Sequence, residues 1–595
     1  MAQSLSKLTS GLVTYTVLID GKEIKASYAV LSVNVFKGVN RISVAKLEIL
    51  DGGTTSEDDF SVSNSKSFNP GKEIEIKAGY DSKEETIFKG VIIKHSLRVS
   101  RGSSSLQIEC RDIAVSMTIG RKNAVFLDKK DSDIISEIVG NYKVQKKIAA
   151  TKFQHVEVVQ HYVTDWDFVL MRADINGLIV ITDDGTLNIQ EPDLGGTPVV
   201  EVKYGSDMIS FSGDIDARSQ VSSINGVSWD MANQKIATSS SNSAKDVPQS
   251  TLKSSELAKV IGLDKYTLQT AANVPLGVLD SWTAAKHLKS NLSKIKATMK
   301  FRGVATVKPG CLLEVTGLSE QFNGKAFVGA VEHRIEDSEW ITEVQLGVSS
   351  EWYAEETPNI DAPSASGLFP PVKGLQTAIV KQIHEDKDGQ YRVKVALPTL
   401  EKDNLTIWAR LTNFYSTKDA GLFFYPEIED EVIVGFLNED PQSAIILGSV
   451  YSSKNKPVYT PEQNNYIKGL VTKGQLKIEF DDENKIMTII TPAENKIVLD
   501  DKEGMITVMD KNSNKVEMSK DGILMDSPKD ITVKAGGNIM MEAKSNIEMK
   551  ATGDVKTEGM NVTSKGKTKF AAEGAMTEVK GSGQTVIKGG VVMIN

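Results

Sequence analysis

Between Asp530 and Gly559 a pattern of eight residues returns four times, as DITVKAGG, NIMMEAKS, NIEMKATG and DVKTEG. Ile531, Ile539, Ile547 and Val555 stand eight apart, each after an Asp or Asn, and Val533, Met541, Met549 and Thr557 follow two places later. Such a period is too short for a helical solenoid unit and contains no heptad seam. The alternation within each unit is that of a strand, whose side chains point to opposite faces in turn. Asp or Asn before the strand and Ala535, Gly537, Ser545 or Gly553 after it suit a tight corner. Each octad is therefore one strand plus one corner, offering two or three apolar side chains, and from residue 531 onward the only aromatic residue is Phe570. One copy cannot close a core. Three identical chains wrapped about a shared axis can, as a homotrimeric β-prism. Its expected trimer-core ladder is Ile531, Val533, Ile539, Met541, Ile547, Met549 and Val555.

Upstream, from Leu476 to Asp530, irregular short strands recur about every ten residues (LKIEF, KIMTII, KIVLD, MITVMD, KVEMS, GILMD) and lead into the octads. The remaining length, out of 595 residues, calls for several domains. Residues 10 to 120 alternate as strands parted by Gly, Asp or Asn, the pattern of a barrel or sandwich. A helix is predicted over 132–141 with Asp131 as N-cap. DWDFVLMRADING carries a second helix, with Trp166, Phe168, Leu170 and Met171 toward the core and Gly177 ending it. LIVITDDGTLNIQEP is a hairpin about an Asp-Gly turn. Residues 213–255, rich in Ser, Asn, Asp and Ala, read as an exposed loop, followed by a helix over 281–299. Strands then resume through GVATVKPGCLLEVTGL, GKAFVGAVEHRI and WITEVQLGV as a second barrel. EETPNIDAPSASGLFPP, with four prolines, is the clearest linker.

A formal charge of −9 gives no electrostatic support to broad nucleic-acid binding. The N-terminus has no apolar h-region and no run is long enough to span a bilayer, so synthesis in a cytoplasm without a cleaved signal peptide is expected. Cys110 and Cys311 both lie in strand-like runs and read as buried, reduced thiols. The six histidines (95, 155, 161, 287, 333 and 384) form no H-E-x-x-H pair, and His155 with His161 lacks a third ligand nearby. No G-x-S-x-G elbow occurs, and Gly566-Lys567-Thr568 lacks the earlier Gly and the following helix of a P-loop. Glu427, Glu429, Asp430 and Glu431 could suggest paired catalytic carboxylates, but as a cluster in a Pro-initiated turn they read as solvated charge. No catalytic residue, cofactor or metal is expected.

Three blocks carry a resemblance. HYVTDWDFVLMRADINGLIVITDDGTLNIQEP (161–192) resembles a segment of VgrG spikes of type VI secretion systems and of contractile phage tail hubs. In GKAFVGAVEHRIEDSEWITEVQLG (324–347), Gly324, Val328, His333, Trp340, Thr342 and Leu346 occupy recurring positions of the closing hub motif. DKDGQYRVKVALP, IWARL, GLFFYPEIEDEVIVGFLNEDP and AIILGSVY resemble the OB-fold of cell-puncturing spikes. There the family's Gly-Arg is Tyr391-Arg392 and its Gly-Asp-Glu is Glu429-Asp430-Glu431.

The resemblance implies a mainly β chain: a first tube-like β-barrel (1–120), an inserted α/β segment (121–205), a second tube-like barrel (206–355), a linker (356–371) and an OB-fold (372–455). A strand-rich upper needle (456–530) and an octad-repeat intertwined β-helix (531–595) follow. In the OB stretch, 366–455, nine Lys or Arg face twelve Asp or Glu, and the aromatics fall in alternating strand patterns, so it reads as a collar rather than an oligonucleotide groove. The implied protein is a homotrimeric spike of a contractile injection apparatus, docked on an inner tube protein of the Hcp type and on baseplate proteins. It pierces a target envelope when the sheath contracts and is exported with the particle. The terminus, Val592, Met593, Ile594 and Asn595, resembles a blunt platform for a PAAR-repeat tip protein, and effectors are further expected partners. No enzymatic domain is expected between OB-fold and needle or after it. A lysozyme-class puncturing enzyme and a trimeric fibre or adhesin are the alternatives.

Overall fold

The computed structural model describes residues 3–52, 60–100, 103–399 and 405–594. It comprises two units, Met1–Val450 and Tyr451–Asn595, and is mainly β. Among the described residues no helix is long and apolar enough to cross a membrane.

In the first unit the largest sheet has fourteen strands. The period-two alternation dictates its inner face. Val33 and Val35, then Ala45, Leu47 and Ile49, then Leu106, Ile108 and Cys110 are buried, and the residues between them are not. Register sets Ile335, Val33, Leu47 and Ile108 side by side across four strands. Burying each contributes about 1.5–3 kcal/mol. A second core, built on Val202, Met299, Phe301, Val315 and Val344, lies elsewhere along the same sheet. The Gly324–Glu336 strand serves both: residues 324–327 pair with Leu312–Thr316, and residues 330–336 pair with Val30–Gly38. At the bulge between these stretches sits Gly329, where a Cβ would come 2.1 Å from the Gly347 carbonyl oxygen. The strands expected to form two barrels are thus joined in one sheet over two cores.

The inserted segment holds the helices Asp131–Gly140 and Asp165–Asp174 and the hairpin Ile179–Asp183/Thr186–Gln190. Asp184 and Gly185 both take positive φ (54° and 91°), as a two-residue hairpin turn requires. Thr164 caps the second helix by accepting from the Asp167 N–H at 3.1 Å. Trp166, Phe168 and Leu170 are buried as expected, but Met171 is exposed, because Val169 and Ala173 fill the core-facing turn.

Two sequence expectations are corrected here. The Ser-rich stretch contains the paired strands Ile224–Asp230 and Lys235–Ser241. The helix occupies Leu276–Leu292, not 281–299, and gives way to the strand Ile295–Arg302, whose Ile295, Ala297, Met299 and Phe301 are buried at period two.

A closed five-stranded barrel follows, from Gln376–Gln382, Val393–Ala396, Thr406–Leu411, Glu431–Phe436 and Ala444–Ser449. Ala378, Val380, Val393, Val395, Val432, Val434 and Ile446 fill it. Its aromatics do not all alternate in strands: Phe414, Tyr415, Phe423 and Phe424 stand exposed on the segment around the small Ser416–Thr417/Ala420–Gly421 hairpin.

The second unit opens with seven consecutive antiparallel strands, Ile467–Val471, Lys477–Asp481, Ile486–Ile490, Lys496–Asp500, Met505–Met509, Lys515–Ser519 and Gly522–Asp526. Residues 527–594 form bends and extended chain with no strand ladder of their own.

Candidate functional site

Five-residue strands in perfect alternation give the meander two unlike faces. Positions two and four of every strand point one way, and register stacks them into two rows. One row runs Lys468, Phe480, Met487, Leu499, Ile506, Met518, Ile523; the other runs Leu470, Ile478, Ile489, Ile497, Val508, Val516, Met525. Lys468 is the only polar member. Phe480, Leu499, Ile506, Met518 and Ile523, with Leu470, Ile489, Ile497, Val508 and Met525, are 38–72% exposed. Soluble chains rarely leave so continuous an apolar surface open.

The opposite face mixes charge with apolar residues and is partly clasped by the chain preceding it. Tyr459 Oη donates to Glu479 Oε2 at 2.7 Å and lies where a Cβ at Gly469 would meet it at 2.8 Å. Burial, and then the Glu479 carboxylate, push the Tyr459 hydroxyl up to about 12. At the turns, Asp481 and Asp510 carboxylates are held below their usual range by the Asn484 and Asn514 side chains and backbone N–H groups.

A groove of about 600 Å³ lies over this unit, lined by Ile489, Ile497, Val508, Val516, Met525 and, from the first octad, Ile531. One apolar row of the meander and Ile531, the first residue of the expected octad ladder, thus share a surface. Ile531, Val533, Ile539, Met541, Ile547, Met549 and Val555 are 52–73% exposed in the single chain. Val592, Met593 and Ile594 are also exposed, and Asn595 lies outside the described residues. The two apolar rows went unread in the sequence. Their signal is there: Lys477, Lys496 and Lys515 each open a strand at intervals of nineteen residues, the length of one hairpin unit.

The groups weighed for chemistry are otherwise engaged. His155 Nε2 lies 3.1 Å from buried Asp131 Oδ2, whose other oxygen accepts from Arg172 Nε at 2.6 Å, while His161 is exposed. Asp430 Oδ2 accepts from the Glu427 N–H at 2.8 Å and Lys381 pairs with Glu429 at 2.8 Å, so the acidic group caps its own turn. The Asp386 carboxylate accepts from the N–H groups of Asp388, Gln390 and Arg392 and from the Arg392 guanidinium, which holds its pKa far down. Arg392 in turn covers Trp408, 5.8 Å from the ring centroid, which places the Tyr391-Arg392 pair as the clamp of the barrel's first long loop. Cys110 and Cys311 are free, the first buried and the second half-buried.

Residues 9–337, more than half of the chain, match the family described as Alg8 N-terminal domain, and residues 376–451 match the type VI secretion system/phage-baseplate injector OB domain. The chain is 32% identical over 124 residues to the type VI secretion system spike protein VgrG5 of Pseudomonas aeruginosa, covering 20% of this chain and 15% of that protein. It is 25% identical over 224 residues to VgrG1a of the same organism, covering 34% of each. The aligned part thus spans about a third or less of these relatives. Among solved structures, the E. coli c3393 protein, described as a component of the type VI secretion system, overlaps with a TM-score of 0.37 at 13% identity, covering 73% of this chain and 99% of that one. The chain belongs to the Alg8 N-terminal domain family, carries the type VI secretion system/phage-baseplate injector OB domain, and over part of its length is similar to VgrG spike proteins.

Proposed function

We propose that this protein is the homotrimeric hub and needle of a contractile injection apparatus. Its first 355 residues form two tube-like lobes with an inserted α/β segment and dock on an inner tube protein of the Hcp type within the baseplate. Residues 372–455 are the collar, and residues 456–595 are the needle that pierces the target envelope on sheath contraction. The needle carries a PAAR-repeat tip protein on Val592, Met593, Ile594 and Asn595, and effectors travel with it. Its work is mechanical, with no catalytic residue.

One observation carries the reading. The second unit exposes two rows that are apolar but for Lys468, and among the described residues the octads that follow have no partner strand. Backbone N–H and C=O groups in strand-forming sequence need ladder partners, and apolar rows need cover. Further copies wrapped about an axis supply both, with Ile531, Val533, Ile539, Met541, Ile547, Met549 and Val555 as the inward ladder. Light scattering of the purified full chain tests this: a mass of three copies is expected, and a stable monomer at micromolar concentration overturns the proposal.

A further inference from the structure

The ends of the first five meander strands are matched in kind, level by level, while the last two strands, Lys515–Ser519 and Gly522–Asp526, lack this match. The first and last residues are Ile467 and Val471 in one strand, Lys477 and Asp481 in the next, then Ile486 and Ile490, Lys496 and Asp500, Met505 and Met509. Antiparallel order brings Asp481, Ile486, Asp500 and Met505 to one edge of the sheet, and Lys477, Ile490, Lys496 and Met509 to the other. All of them point away from the apolar rows. One edge therefore alternates acid with apolar, the other base with apolar, in the same order.

Within the chain these charges do not meet. Four residues along a strand separate the two ends by about 13 Å. Among the described residues neither Lys477 nor Lys496 has an acidic partner within ion-pair distance, whereas Lys515 pairs with Glu517 at 3.2 Å. Asp481 and Asp500 accept the N–H groups of Asn484 and Glu503, at 3.0 and 2.9 Å, which fix each carboxylate at its strand end.

We propose that the meanders of three copies close as a triangular prism whose corners join the two ends of the same strand from neighbouring copies. This inference rests on the trimeric reading above. Rotation about an axis parallel to the stacking direction leaves every strand at its own height. Asp481 then meets Lys477 of the next copy, Asp500 meets Lys496, Ile486 meets Ile490 and Met505 meets Met509. Over these five strands every charged level finds its opposite and every apolar level finds an apolar partner. The contact is heterologous, and three-fold rotation closes it. A slip by one strand sets Asp481 against Ile490 and Lys496 against Ile486, so the corners select the vertical register of the three chains.

Paired cysteines in the full chain read the register directly. A disulfide needs Cα atoms within about 7 Å, so ends of one strand cannot bond within a copy. Under mild oxidation Lys496→Cys with Asp500→Cys should give covalent trimers on a non-reducing gel. Lys496→Cys with Asp481→Cys, two strands (about 10 Å) out of level, should give at least tenfold less. A second arm needs no oxidation: Lys477→Asp with Lys496→Asp should weaken the trimer about tenfold or more, and adding Asp481→Lys with Asp500→Lys should restore it. A trimeric unmodified chain in which the two cysteine pairs cross-link equally, or not at all, overturns the corner ladder alone. A monomeric unmodified chain removes the trimeric reading and the ladder with it.

Discussion

At Gly329 the shared strand passes so close to the Gly347 carbonyl that a methyl group has no place. Gly329→Ala is expected to lower stability by about 1–3 kcal/mol, measured by equilibrium denaturation. His333 sets a pH dependence. Fully enclosed, 3.0 Å from Thr342 Oγ1, it is pushed down to about 3 by burial and by nearby Lys37. Its folded pKa lies below its unfolded value of about 6.5, so the unfolded chain gains the proton first. Stability from this group is full above that value and falls by about 1.4 kcal/mol per pH unit toward the folded value. Unfolding midpoints at pH 7.5 and 5 should differ accordingly, and His333→Gln should flatten the difference. In the octads, Ile539→Asp with Ile547→Asp would place each charge three times around a dry axis. Loss of trimers by light scattering is the expected result; trimers that persist would remove these residues from the ladder. The repeat itself is readable at the residue scale because a period of eight returns the same residue types to the same positions in plain sequence.

At the scale of elements the repeat unit of the upper needle is the nineteen-residue hairpin. Deleting residues 496–514 removes one whole unit, keeps every later strand in its direction and should leave an oligomer of unchanged copy number. Deleting 505–514 removes one strand, reverses those that follow and should abolish assembly; size-exclusion chromatography with light scattering separates the outcomes. This unit was illegible strand by strand because five residues are too few to display a period and the turns between them vary. The elements misread elsewhere have similar causes. In Lys235–Ser241 the side chains that fix the strand are polar: Ser239 Oγ donates to Asp280 Oδ1 and Ser241 Oγ lies 3.0 Å from His287 Nδ1, so hydropathy carries no trace of it. The 281–299 helix was drawn too late because apolar residues continue past Leu292, and only their change from helical to alternating spacing marks the new strand. By contrast, the Asp184-Gly185 hairpin and the helix capped by Thr164 were legible, since local turn and cap chemistry specifies them without tertiary help.

For the molecule as a whole, the proposed tip platform predicts that Val592→Asp with Ile594→Asp leaves the trimer intact but abolishes co-purification with a PAAR-repeat protein. Retained co-purification would place the tip elsewhere. What no local pattern disclosed is how the two cores of the first unit are joined. The thirteen-residue Gly324–Glu336 strand is bonded along its length to Leu312–Thr316, to Val30–Gly38 and to Glu339–Leu346. A load that slides the two lobes past one another along this strand is resisted in shear, with many backbone hydrogen bonds strained together instead of opened one at a time. The two cores share a tendon, and its ladder takes such a load as one.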